Sequence, residues 1–309
     1  MSNRPNSIDV IIPVHNAELY IKEALGSVIN QTYPVNKIYL IDDGSNDRSE
    51  KIINEYQKES SIKIEYIKTY GNSPSKARNI GIKRSSADII AFLDADDVWH
   101  PEKIEKQIKL IEEKEVEFVH TGYQYIDSAG NDFIPRDRSY SDSELYGDVS
   151  RLIFHKVGSI ALPSVIISKK LIDRVGAFDP ELRFAEDHDL WIRAAQATKF
   201  GFLKENLLKV RRHNSNITND RDSLLTNRIN FYTKWATFFP ANTPTVKDIR
   251  DEIAYKLYKN NNFRHDLYPT IPHTALRRLF PFTHKHPNLI IIGHLPVIAR
   301  AWIIKNLGL

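Results

Sequence analysis

Asp88-Ile89-Ile90-Ala91-Phe92-Leu93-Asp94-Ala95-Asp96-Asp97 is an apolar run that stops abruptly in three carboxylates. The stretch from Asp88 to Leu93 has the length and composition of a short buried strand. Carboxylates this close repel one another unless something positive lies between them. In an extended chain, residues i and i+2 point the same way, so Asp94 and Asp96 face one target and Ala95 the other side. A hard divalent cation that also bridges to phosphate oxygens is a natural target, because Mg2+ and Mn2+ take a few carboxylates plus ligand oxygens. The alternative is a turn in which one Asp caps a helix starting near Pro101. From this segment alone both readings stay open.

On the N-terminal side the same alternation recurs. Apolar runs at Ile8–Val14, Lys37–Ile41 and Ile62–Ile67 are followed by helical spacing at Ala17–Ile29 and Arg48–Lys58, and then by a helix that Ser73-Pro74 should open. A Ser cap followed by Pro in the first turn, where no N–H is needed, suits a helix start. Short strands alternating with helices predict an α/β chain with a mostly parallel, doubly wound sheet flanked by helices. In such sheets ligands bind outside the carboxyl ends of the strands. His15-Asn16, Asp42-Asp43-Gly44-Ser45 and Asp94–Asp97 fall at three of those ends. Each alone is ordinary turn chemistry; together they describe a polar, acidic crevice.

On the C-terminal side a charged helix is expected to Lys114, then a strand over Val116–Ile126 and a turn at Ser128–Asn131. The polar stretch Arg136–Gly147 reads as a loop able to cover the crevice. Ser164–Ser168 and Asn206–Arg212 read as further strands, and Glu186-Asp187-His188-Asp189 opens a helix running to Thr198.

Composition bounds the function. Among 309 residues 41% are hydrophobic and mean hydropathy is −0.41, so a sizeable core can form. A net charge of +4 is too small to indicate nucleic acid. With no cysteine there is no disulfide framework and no thiolate metal site. The first residues, Met1-Ser2-Asn3-Arg4-Pro5, lack the apolar core of a signal peptide, so a cytoplasmic location is expected. From Lys256 onward eight Lys or Arg stand against one acid, Asp266, beside the apolar but interrupted stretch Leu289–Leu309. That stretch is a poor membrane span. It reads as a helix packed on the rest of the chain or as an amphipathic helix on an anionic membrane surface. The charge motivates the expectation of peripheral contact with the inner face of the cell membrane.

Taken in order, Ile11-Ile12-Pro13-Val14-His15-Asn16, Asp42-Asp43-Gly44-Ser45, Ser75-Lys76-Ala77-Arg78-Asn79, Asp94-Ala95-Asp96-Asp97 and Glu186-Asp187 resemble the family 2 glycosyltransferases over about residues 7 to 215. These are inverting enzymes of the GT-A fold that use nucleotide-diphosphate sugars. The resemblance implies a catalytic domain over 1–220, leaving 221–309 as a basic, helical C-terminal extension. It implies that Asp42 accepts a hydrogen bond from the nucleotide base, which favours a UDP-sugar, and that Pro13, His15 and Asn16 line the nucleotide pocket. Arg78 would sit near the base or diphosphate; its other reading is a surface Arg paired with a neighbouring acid. Asp94, Ala95 and Asp96 match the family's Asp-x-Asp: Asp94 would contact the ribose or metal and Asp96 would ligate Mn2+ or Mg2+. Asp97 would cap or support. His213 would lie near the diphosphate and metal, and His188 is a weaker candidate there.

Asp187 matches the catalytic base, expected to be ionised at neutral pH from its reference pKa of about 3.9. Trp99 and Trp191 are candidates for an acceptor floor, with Trp191 at a spacing that also suits the core. The acceptor would be a hydroxyl of a glycan or lipid-linked molecule, in cell-surface polysaccharide or glycolipid synthesis. Two other classes remain. A nucleotidyltransferase is disfavoured because Pro13-Val14-His15-Asn16 holds no Gly, Lys or Arg. A non-catalytic carbohydrate-binding relative is disfavoured because every carboxylate the chemistry needs is present.

Overall fold

The structure is a computed structural model that describes residues 6–70, 73–134, 145–155, 158–183, 185–213, 231 and 234–235. The chain divides into two compact units, Met1–Ile217 and Thr218–Leu309. In the second, Trp235 N–H donates to the Phe231 carbonyl at 3.2 Å across one turn. The stretches 214–230 and 236–309 lie outside the described residues, and with them the C-terminal expectations. Among the described residues no helix is long and apolar enough to cross a membrane.

The first unit is built on strands β1 (Ile8–Val14), β2 (Lys37–Asp42), β3 (Lys63–Lys68), β4 (Ile89–Phe92), β5 (Val98–Trp99), β6 (Phe118–Ile126), β7 (Asp132–Phe133), β8 (Ile166–Ser168) and β9 (Phe200–Arg211). Its helices are α1 (Ile21–Ile29), α2 (Ser49–Glu59), α3 (Pro74–Arg84), α4 (Lys103–Lys114), α5 (Lys169–Val175) and α6 (Glu186–Ala195). The strand order is β3-β2-β1-β4-β8-β6-β9-β5, with β7 paired to β6. β3, β2, β1 and β4 are parallel, as are β6 and β9; β8 runs antiparallel between β4 and β6. The parallel half is doubly covered, which is why β1, β2 and β4 read as nearly unbroken apolar runs.

Two residues of β1 that a buried strand rarely holds, Asp9 and Pro13, are each accommodated. Buried Asp9 accepts from Asn36 Nδ2 at 2.7 Å and Ser85 Oγ at 2.6 Å, so its charge is hydrogen-bonded rather than stranded. Pro13 lies beyond Ile11, the last β1 residue paired to β4, so its missing N–H leaves no ladder bond unmade on that side.

α3 lies against β1 and β2. It reaches them through Gly81, where a Cβ would stand 2.6 Å from Ile11 Cγ2. Gly81→Ala therefore overpacks the interface that carries Arg78. Overpacking costs about 1–3 kcal/mol and the helix gains about 1 kcal/mol from Ala. A net loss of up to about 2 kcal/mol is expected, read from the urea midpoint; a raised midpoint would contradict the contact.

Some boundaries differ from the sequence expectation. Ser73 occupies the position before α3 with Pro74 next, yet its side chain makes no capping bond. Its main-chain N–H instead donates to Asp43 Oδ2 at 2.7 Å, tying the helix to the loop after β2. β9 begins at Phe200, ahead of the expected Asn206, because Phe200 and Gly201 pair with Phe118 and Val119 before the polar Lys204-Glu205. α5 is an unanticipated short helix, capped by Ser168 Oγ accepting from Leu171 N.

Candidate active site

The parallel register brings the carboxyl ends of β1, β2 and β4 to one edge. Past β4 the chain does not stay extended: Asp97 N–H donates to the Asp94 carbonyl at 3.1 Å, closing a turn. The expectation that Asp94 and Asp96 share a face by strand alternation is thus corrected. Each carboxylate of the turn has its own partner. Asp94 Oδ1 accepts from Arg78 Nη2 at 2.8 Å, Asp96 Oδ2 lies 2.9 Å from His213 Nε2, and Asp97 Oδ1 accepts from Arg211 N–H at 2.8 Å. None caps α4, whose preceding residue is Glu102. Ala95 is buried beneath the turn. Burial and the neighbouring Asp94 raise the proton affinity of Asp96 against the opposing pull of His213; burial and both neighbours push Asp97 well above the ordinary carboxylate range.

Arg78 is 5% exposed and bridges two segments far apart in the chain. Nη2 takes Asp94 and Nη1 donates to Glu186 Oε1 at 3.1 Å, 108 residues away. Its guanidinium lies 5.6 Å from the Phe178 ring centroid. Next to it, Asn79 clamps the Phe178 main chain, donating to its carbonyl at 2.8 Å and accepting its N–H at 3.0 Å. Burial opposes the charge on Arg78, but Asp94 and Glu186 outweigh it and the guanidinium is held firmly protonated. Its Nε is buried with no hydrogen-bond partner. Both Nη atoms of Arg78 are thus paired with acids, as its second reading expected, but in a buried position and not on the surface.

Asp187 follows Glu186 in the first turn of α6, which begins after Ala185 at φ +52°. Its Oδ1 accepts from His188 N–H at 2.7 Å. Burial and the adjacent Glu186 raise its pKa to about 7, against His188 N–H and Arg78, with Asp94 adding to the rise. The expected fully ionised base is corrected to one that titrates near neutrality, since desolvation penalises the anion.

The other end of the edge is a network of loops. His15 is exposed and its Nδ1 lies 3.1 Å from the Asp43 carbonyl. Asn16, at φ +50°, donates its N–H to Ser45 Oγ at 3.0 Å and accepts from Asn46 N–H at 2.9 Å. Asp42 is 0% exposed: Oδ1 accepts from Ser45 N–H at 2.7 Å and Oδ2 from the Tyr66 hydroxyl at 2.5 Å. Both oxygens brace the β2–α2 loop, and each keeps a second lone pair for the base contact that the resemblance implies. Asp43 does similar work, accepting from Thr69 Oγ1 at 2.9 Å and Ser73 N–H at 2.7 Å. Pro13 is half-buried inside β1.

Other candidates lie in the core. Trp99 is 2% exposed, with Nε1 donating to the Pro163 carbonyl, and fully buried Trp191 packs edge-on to Phe118. Neither offers a face to a sugar. Buried His188 meets the Ile153 carbonyl through Nε2 at 2.7 Å. Most of the loop expected over the crevice, 135–144, lies outside the described residues. Sequence reasoning missed Glu186 as the partner of Arg78, Tyr66 as the partner of Asp42, and Arg211 and Tyr20 around Asp96 and His213. The signal available was the pair Arg211-Arg212 ending a strand.

Among the described residues, no cluster of three or more His, Cys, Asp or Glu is arranged to hold a metal ion. Asp96 and His213 supply one oxygen and one nitrogen at a turn of three aspartates. This set fits Mn2+ or Mg2+ when a ligand's phosphate oxygens and water complete the shell, and does not fit a cation held by protein alone.

A family model described as glycosyl transferase family 2 matches residues 9–176. A protein of Rickettsia bellii named as an uncharacterized glycosyltransferase is 34% identical over 218 residues, 70% of this chain and 30% of that protein. Counterparts with the same description are 32% identical in Rickettsia typhi, covering 69% of this chain and 66% of the relative, and 31% identical in Methanocaldococcus jannaschii, covering 66% and 70%. The chain thus spans from under a third to about two thirds of the length of these curated relatives. Among solved structures, S. aureus TarS 1-349 in complex with UDP-GlcNAc superposes with TM-score 0.63 at 19% identity, over 97% of this chain and 89% of that one. The mannosyltransferase PcManGT of Pyrobaculum calidifontis, in complex with GDP-Man and Mn2+, gives 0.59 at 16% identity, over 97% and 84%. At these identities the likeness is one of fold.

Proposed function

The chain belongs to glycosyl transferase family 2 and has the GT-A fold, and from that premise we propose that it moves a sugar, with inversion, from a nucleotide-diphosphate donor to a hydroxyl group of an acceptor. The observation that carries this is the meeting of Asp187 with Arg78, Glu186 and Asp94 at the carboxyl end of β4.

Asp187 is the proposed base. It takes the acceptor hydroxyl proton while that oxygen bonds to the anomeric carbon and the bond to the diphosphate oxygen breaks on the opposite face. A base works best with its pKa near the working pH, and about 7 meets that condition. Burial and then the charge of Glu186 set this value, and Arg78 keeps Glu186 and Asp94 from repelling each other. Asp96 and His213, with Asp94, would hold Mn2+ or Mg2+, which when bound supplies charge neutralisation to the departing diphosphate. His15 and Asn16, at the exposed rim, are the proposed nucleotide contacts, with Pro13 behind them, and Asp42 holds the loop that carries Ser45.

A UDP-sugar is the proposed donor, supported by the TarS complex of the same fold. The acceptor proposed is a glycan or lipid-linked molecule in cell-surface polysaccharide or glycolipid synthesis, with the basic C-terminal stretch as the candidate contact to an anionic membrane. The test is a thermal-shift panel of UDP-, GDP- and dTDP-sugars with Mn2+, on a chain long enough to include residue 309. One donor is expected to raise the melting temperature, since a ligand at 100 times its Kd adds about 2.7 kcal/mol. No shift with any of them overturns the reading.

A further inference from the structure

Arg211, the last residue of β9, is 2% exposed, and its donors reach three separate segments. Its main-chain N–H donates to Asp97 Oδ1 at 2.8 Å and its Nε to the Asp96 carbonyl at 2.9 Å. Nη1 donates to the Asp127 carbonyl at 3.2 Å, and Nη2 to Glu23 Oε2 on α1 at 2.5 Å. The guanidinium also lies 4.7 Å from the centroid of the Tyr20 ring. Tyr20 in turn stacks on His213 with centroids 5.0 Å apart, and His213 meets Asp96 at 2.9 Å. A closed circuit runs from Arg211 through the acidic turn to His213, to Tyr20 and back.

A turn carrying three adjacent carboxylates is driven open by their repulsion. Arg211 opposes this through two bonds to the turn, one to a side chain and one to a main-chain carbonyl, so the Asp96 carboxylate stays turned to His213. A planar guanidinium can satisfy these divergent acceptors at once; an ammonium on a flexible stem cannot. We propose that Arg211, acting with Tyr20, is a positioning residue that sets the Asp96–His213 pair in the arrangement a divalent cation and a nucleoside diphosphate require. This rests on the glycosyltransferase reading above.

The test uses the full chain with Arg211→Lys, and with Glu23→Gln as a second variant at a half-exposed anchor that does not threaten folding. The first readout is the imidazole NMR signal of His213, assigned by its loss in His213→Gln. It is expected to move in Arg211→Lys and, less, in Glu23→Gln, while the other His signals stay. The second is Mn2+ affinity in the presence of UDP, from the electron paramagnetic resonance of free Mn2+. It is expected to weaken by about 10–100-fold in Arg211→Lys, the usual effect of losing a residue that orients a metal ligand. Turnover at saturating Mn2+ should fall far less, so the loss sits in the metal's KM and not in kcat. Should Arg211→Lys fail to fold, the same two readouts in Glu23→Gln decide. An unmoved His213 signal with unchanged Mn2+ affinity overturns the proposal. If the unsubstituted chain binds no nucleotide, the glycosyltransferase reading falls instead, and the His213 signal, which needs neither nucleotide nor metal, still decides the role of Arg211.

Discussion

Asp187→Asn is expected to cut sugar transfer by about 10²–10⁴-fold, the usual contribution of a positioned general base, while leaving nucleotide binding unchanged. The amide keeps the size of the carboxylate and can still accept the His188 N–H, so the first turn of α6 is retained. It cannot take a proton from an alcohol. The pH profile supplies the second half of the expectation. Burial and Glu186 hold the Asp187 carboxyl at about 7 in the free protein. Only the unprotonated form is a base, so kcat/KM should rise with pH through about 7 and level off above it. A limb at an ordinary carboxylate value would mean that Asp187 is solvated during turnover. Full turnover in the Asn variant would remove it from the chemistry altogether.

The second large effect is on stability. Arg78→Met keeps an unbranched stem against Phe178 and removes the cation between Asp94 and Glu186. Breaking a buried ion pair from one side costs about 3–5 kcal/mol, because the remaining charge stays desolvated. The side chains left behind are 34% and 21% exposed for Asp94 and Glu186. They can recover some water, which places the expected loss near the low end, about 3 kcal/mol. Urea unfolding should show a lower midpoint with an unchanged slope. The same variant removes a charge that lowers the proton affinity of Asp187. Its kcat/KM limb should therefore move to higher pH. An unchanged midpoint would show that Asp94 and Glu186 do not depend on Arg78.

These two substitutions mark where sequence reading succeeded and where it could not. β1 and β4 were legible almost to the residue because strands covered on both faces are written as uninterrupted apolar runs. The start of β9 was hidden because the polar Lys204-Glu205-Asn206 interrupts its pattern. The carboxylates at the strand ends were visible as residue types. Their geometry was not. Asp94–Asp97 follows an apolar strand and looks extended, but a hydrogen bond from Asp97 N–H to Asp94 C=O folds it into a turn. Asp42 ends its strand as expected, and no local feature announced that Tyr66 and Ser45 would occupy both of its oxygens.

By itself the sequence determined the alternating layers, the edge on which polar loops gather, and the set of carboxylates available there, since periodicity and turn chemistry act over a few residues. Tertiary structure alone decided which oxygen meets which cation: Arg78 between Asp94 and Glu186, Arg211 beneath the acidic turn, His213 against Asp96. It also decided that Asp187 holds its proton to about pH 7. The physical reason is that desolvation and Coulomb forces depend on distances through space, and here those distances join residues more than a hundred positions apart, as with Arg78 and Glu186 at a separation of 108.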